Sequence, residues 1–210
     1  SRADLAAAVN RMRLDLGLDA LPMAAVVRMV GKGARNLVRS ALGGEPAEAL
    51  VERALELFLA HYEPACTVST APYAGIPELL SDLAAGFRLA LLTNKPERAT
   101  RRILDHFGWS AWFEPAIGGD TLAARKPEPE GLLTIARRLG VGPGELLMIG
   151  DTRIDAETAA AAGAPFALVE WGFATPAERL AIAAEWRVAD AAGLARLLLA
   201  SGPPSSGRAQ

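Results

Sequence analysis

The stretch LLMIGDTRIDAETAAAAG, Leu146 to Gly163, decides the fold class. Leu146 to Ile149 is a short apolar run that stops at Gly150-Asp151, and an alanine-rich helical pattern follows it with a second carboxylate, Asp155, on or near its first turn. A strand leading straight into a helix is the repeating unit of α/β architecture, and such sheets carry their chemistry at the carboxyl ends of the strands.

Further runs of the same kind lie on either side. Arg88 to Leu92, Ala116 to Ile117, Phe166 to Val169 and Arg187 to Ala189 read as strands. Helical patterns separate them at Ile76 to Ala85, Pro96 to Phe107, Pro129 to Leu139, Ala156 to Ala162 and Ala192 to Ala200. The alternation predicts a parallel sheet with helices on both faces. Residues 3 to 63 differ, because apolar positions recur there at three and four residues, as in Leu5, Val9 and Met12, with breaks at Gly17, Pro22, Gly31 to Gly33 and Gly43-Gly44. That pattern divides the chain into a helical unit, 1–72, and an α/β unit, 73–200. The tail 201–210, SGPPSSGRAQ, has a composition expected to be disordered.

Composition narrows the function classes. Of 210 residues, 51% are hydrophobic and 22% charged, which suffices for a substantial core, and the formal net charge of −2 offers no electrostatic footprint for nucleic acid. The sequence has neither a long apolar span for a membrane nor a basic-then-apolar start. Cys66 is the single cysteine, so no disulfide forms within the chain; a buried, inert thiol and a cytoplasmic home are expected. His61 and His106 both fall in helical patterns and are expected to be surface or packing residues.

Three strand ends carry polar groups. Thr93-Asn94-Lys95 follows the first run and offers a hydroxyl, an amide and backbone donors beside a helix start, where anions are stabilised, although Thr93 or Asn94 is equally suited to N-capping. Lys126 precedes Pro127, which favours an extended lysine at a helix entrance. Asp151 and Asp155 supply two carboxylates. Like charges four apart on a helix repel by a few tenths of a kcal/mol, and a shared Mg²⁺ would satisfy both through oxygen ligands and retained waters. With a hydroxyl and an ammonium opposite, the set suits a phosphoryl group, and a small phosphorylated substrate is the expected partner.

In this order the residues resemble the haloacid dehalogenase-like phosphatase superfamily. Thr93 in LLTNKP matches its second motif, Lys126 in RKPEP its third, and Asp151 with Asp155 in IGDTRID its fourth. The stretches VGKGARNLV and GGDTLAARKPEP are similar in particular to its bacterial phosphoglycolate phosphatase branch. The resemblance implies a Rossmann-like core with a small helical cap, and hydrolysis of 2-phosphoglycolate through an aspartyl-phosphate. Thr93 and Lys126 would then act on the phosphoryl group with Asn94 beside them, Asp151 would ligate Mg²⁺ and Asp155 would hold the metal's water shell. Gly31-Lys32-Gly33 would be the cap loop, with Lys32 on the substrate's carboxylate. The superfamily's first motif, Asp-x-Asp-Gly-Thr on the central strand, has no match here, and Ser1 to Leu5 resembles the segment that follows it. The chain is therefore expected to begin just after the central strand and to be close to inactive by itself.

Rival readings fit less of the chain. A phosphoacceptor receiver domain places its acidic group first rather than last and needs no helical unit before Tyr73. VGKGARN lacks the spacing of a phosphate loop or a dinucleotide fingerprint. A sugar-phosphate phosphatase or a phosphate-binding pseudo-enzyme stands as the alternative within the superfamily.

Overall fold

The computed structural model of the chain describes residues 1–199. Ala200, the end of the last expected helix, and the tail 201–210 lie outside the described residues.

The first third is helical, as its periodicity predicts. α1 (Arg2–Asp15), α2 (Met23–Arg28), α3 (Ala34–Leu42) and α4 (Glu48–Ala65) pack around one apolar cluster. α1 contributes Leu5, Val9 and Met12, and α4 contributes Val51, Ala54, Phe58 and Tyr62 at intervals of three and four, so that one face of each helix is buried. Phe58 and Tyr62 stack with ring centroids 5.3 Å apart. Each fully buried side chain of this size contributes about 1.5–3 kcal/mol, so the cluster is the unit's main cohesive term. Cys66 joins it as a buried free thiol.

Strands and helices then alternate: α5 (Ile76–Ala84), β1 (Leu89–Leu92), α6 (Glu97–His106), β2 (Phe113–Ile117), α7 (Glu130–Leu139), β3 (Met148–Gly150), α8 (Arg153–Ala162), β4 (Phe166–Val169), α9 (Pro176–Ala181), β5 (Trp186–Val188) and α10 (Ala191–Leu199). Every strand pairing is parallel. β4 lies between β3 and β5 and is buried throughout, which explains its unbroken Phe-Ala-Leu-Val run. β2 starts three residues earlier than its apolar pair, Ala116-Ile117, suggests; Pro115 breaks the pattern and is tolerated because, among the described residues, β2 pairs only with β1.

β1 and β3 do not pair with each other, so the strands form two sheets, β1-β2 and β3-β4-β5. β1 is wholly apolar, Leu-Ala-Leu-Leu, yet only half-buried, and Ile149 in β3 is 40% exposed. Among the described residues, no helix is long and apolar enough to cross a membrane.

Candidate active site

The carboxyl ends of β1 and β3 open on one cleft of about 190 Å³, to which Thr93, Lys95, Lys126, Asp151 and Asp155 all contribute. That volume is below the ~300–1,000 Å³ typical of drug-sized ligands and suits a small one. The helical unit supplies the opposite wall through Val30, Gly31 and Leu37.

Asp155 answers why two carboxylates crowd one turn. It is the third residue of α8, and its Oδ2 reaches back to the Thr152 N–H at 3.0 Å and the Thr152 hydroxyl at 2.6 Å, as in a capping box. Its Oδ1 accepts from Lys126 Nζ at 2.6 Å, with the two side chains 7% and 12% exposed. Burial raises a carboxyl, but here the Lys126 charge and the Lys126 and Thr152 hydrogen bonds outweigh it, and Asp155 is held below its ordinary value. Helix capping and a buried ion pair thus account for this residue without a metal.

Asp151 is different. Its Oδ2 accepts the Phe173 N–H at 2.5 Å, and among the described residues no cation lies within ion-pair distance of it. Burial pushes its carboxyl up, against the pull of the Phe173 N–H, and the charge on Asp155 adds to the rise. A buried carboxylate without an ion-pair contact, one turn from a second oxygen donor, has the donor chemistry that Mg²⁺ takes, since Mg²⁺ needs only one or two carboxylates and keeps several waters.

Two glycines make room for the pair. A Cβ on Gly150 would overlap the Asp155 side chain, and one on Gly172, which lies at φ +135°, would overlap the Asp151 carboxylate. Gly150→Ala is expected to lower unfolding free energy by about 1–3 kcal/mol through overpacking, with the midpoint of urea denaturation as the measure.

The other expected residues divide. Thr93 continues β1 through its N–H to the Ile117 carbonyl, and its Oγ1 accepts the Lys95 N–H at 3.1 Å, leaving the hydroxyl proton free to donate. Lys126 reaches the cleft, but from a turn with a cis bond to Pro127 rather than from extended chain at a helix entrance, since α7 begins only at Glu130. Asn94 also lines the cleft, but its side-chain amide is engaged within the protein. Its side chain donates to the Gly31 and Lys126 carbonyls, both at 2.9 Å, and accepts the Lys126 N–H at 3.0 Å. With both amide protons committed, it braces the helical unit's loop against the lysine turn. Lys32 is exposed and lies outside the cleft lining, although its neighbours Gly31 and Gly33 belong to it.

The Lys95 side chain and Phe173 were not singled out by sequence, and both residues line this cleft. Phe173 packs against the helical unit's cluster while its N–H holds Asp151, and the Arg2 guanidinium stacks over its ring at 4.9 Å. The histidines stand apart: His61 pairs with Asp15 at 2.6 Å, and His106 packs edge-on to Phe107. A larger groove of about 550 Å³, bordered by Arg88, Arg101 and Arg138, lies at the amino ends of β1 and β2, the rim opposite the candidate site.

A family model described as haloacid dehalogenase-like hydrolase matches residues 1–163. A phosphoglycolate phosphatase of Pseudomonas putida is 41% identical over 176 residues, 81% of this chain and 64% of that protein. One of Nitrosospira multiformis is 38% identical over 175 residues, 81% of this chain and 77% of that protein. The chain thus spans about two thirds to three quarters of the length of these relatives. Among solved structures, a predicted phosphoglycolate phosphatase of Haemophilus somnus superposes with a TM-score of 0.85 at 25% identity, covering 94% of this chain and 91% of the other.

Proposed function

Because this chain belongs to the haloacid dehalogenase-like hydrolases, we propose that it forms the body of a Mg²⁺-dependent cytoplasmic phosphatase for a small phosphomonoester, 2-phosphoglycolate first, acting through an aspartyl-phosphate. The observation that carries the reading is the convergence of Thr93, Lys126, Asp151 and Asp155 on one small cleft at the carboxyl ends of two parallel strands.

In this reading the Thr93 hydroxyl, its oxygen already accepting the Lys95 N–H, donates to a phosphoryl oxygen. Lys126 offsets the phosphoryl charge, and its bond to Asp155 fixes where the ammonium stands. Asp151 would hold Mg²⁺ directly, and Asp155, whose oxygens are taken by Lys126 and Thr152, would act on the metal's waters. When bound, the cation supplies charge neutralisation at the phosphoryl oxygens.

Covalent transfer needs a positioned carboxylate nucleophile, and the sequence contains no Asp-x-Asp. Asp4 does not serve, because it is 4% exposed and bound to the Ser69 N–H and the Thr70 hydroxyl. Among the described residues, β1 and β3 each leave one edge unpaired, and both end at the same cleft. One more parallel strand between them would set its last residue beside Thr93 and Asp151. The test is a chain carrying an apolar strand that ends in Asp-x-Asp ahead of Ser1. With Mg²⁺ it is expected to release phosphate from 2-phosphoglycolate, and chelation is expected to stop the release. Failure to turn over any phosphomonoester would refute the phosphatase reading.

A further inference from the structure

We propose that Lys95 receives a second anionic group of the substrate, a carboxylate, and that the Tyr62 hydroxyl holds its ammonium in place until the substrate arrives. The inference rests on the phosphatase reading above and names what that reading leaves open, the feature by which this cleft tells one small phosphomonoester from another.

Three lysines are near enough to be considered. Lys126, held by Asp155 at 2.6 Å, is assigned to the phosphoryl group, and Lys32 is exposed and outside the cleft. Lys95 lines the cleft two residues beyond Thr93, and its N–H bonds to the Thr93 hydroxyl oxygen. Thr93 and Lys95 thus border the same cleft. The Lys95 ammonium meets the Tyr62 hydroxyl and lies 5.2 Å from the centre of the Tyr62 ring, and among the described residues no carboxylate comes within 4 Å of it.

The groups around it only partly offset the burial of its charge. Asp4 of α1 attracts the ammonium without an ion-pair contact, its oxygens being bound to the Ser69 N–H and the Thr70 hydroxyl. Cys66 at the end of α4 is a thiol that burial pushes further from ionisation. Desolvation accordingly pulls the Lys95 ammonium down to about 8, the mark of a cation whose surroundings do not compensate its charge. Folded proteins pair or neutralise buried charges. A cation without an ion-pair partner, on a residue that lines a binding cleft, is compensated when an anion enters. A phosphomonoester of an uncharged alcohol would leave Lys95 as it is, whereas a short phosphorylated acid would match it.

The experiment compares two ligands of similar length, 2-phosphoglycolate and ethyl phosphate, by calorimetry on the chain with Mg²⁺. The wild type is expected to bind 2-phosphoglycolate about tenfold or more tighter, the scale of one charge-assisted hydrogen bond. Lys95→Met should erase that preference by weakening 2-phosphoglycolate alone, Lys95→Arg should keep most of it, and Tyr62→Phe, which releases the ammonium from its holder, should reduce it without erasing it. Should Lys95→Met not fold, the wild type decides: its Lys95 Nζ resonance is expected to move with 2-phosphoglycolate and not with ethyl phosphate. A preference that survives Lys95→Met, an equal loss for both ligands, or an unmoved Nζ resonance would overturn the assignment. Binding of both ligands without preference sinks the Lys95 inference alone, whereas a wild type that binds neither sinks the phosphatase reading with it.

Discussion

Asp151→Asn is expected to abolish the stabilisation of this protein by Mg²⁺ while leaving the metal-free fold intact. A ligand present at a hundred times its Kd adds about 2.7 kcal/mol, which for a chain of this length raises Tm by roughly 5–10 °C. The wild type should show that rise and the variant should not. The metal-free variant should be at least as stable as the wild type at neutral pH. The fold raises the Asp151 carboxyl, chiefly by burial, so the native state binds protons more readily than the unfolded chain, and stability is lost as pH rises from the ordinary value near 3.8 through the raised one. An uncharged amide avoids that loss and can still accept the Phe173 N–H. In a chain bearing the Asp-x-Asp strand, the same substitution should cost about 10³-fold or more in phosphate release, the scale of several kcal/mol of lost charge stabilisation. Scanning calorimetry with Mg²⁺ and with chelator reads the first effect, and a phosphate-release assay the second.

Lys126→Met strikes stability instead. It leaves Asp155, whose side chain is 7% exposed, without its cation, and breaking one side of a buried pair costs about 3–5 kcal/mol. The pH dependence should also reverse. In the wild type the fold holds Asp155 below its ordinary value near 3.8, so its contribution is fully present above 3.8 and is lost as pH falls through the lower folded value. In the variant only burial and Thr152 act on the carboxyl, burial prevails, and protonation removes a buried charge, so stability should climb as pH falls from 7 toward 5. Urea denaturation of the metal-free variant at both values checks the sign. A variant equally stable at pH 7 and 5, with no loss against the wild type, would show that the ion pair does not hold the site together.

The parts of this fold legible in sequence are those that local signals write. Helical spacing in Leu5, Val9 and Met12, and the apolar runs at Leu89 and Phe166, each lie within a few residues and predict α1, β1 and β4 closely. Thr93, Lys126, Asp151 and Asp155 could be named because each ends or follows such a run, and the structure brings them to one cleft. What escaped is tertiary. Asn94 looked like a ligand group because nothing local shows that Gly31 and Lys126 consume its amide. Lys32 was named because the resemblance implies a cap loop at Gly31-Lys32-Gly33, whereas the contact that marks the Lys95 side chain comes from Tyr62, 33 positions earlier on another element. Gly172 makes room for Asp151 from 21 positions away, and no periodicity announces it. Asp155 was half-read: the repulsion of two carboxylates was visible, but its relief by Thr152 and Lys126 was not.

The most direct test is a crystal structure of the chain grown with Mg²⁺ and tungstate, an oxyanion that stands in for the phosphoryl group. The account predicts tungstate oxygens within about 2.7–3.1 Å of Thr93 Oγ1 and Lys126 Nζ, with the cation on Asp151. Tungstate in the groove bordered by Arg88, Arg101 and Arg138, with the cleft vacant and Asp151 unligated, would contradict it.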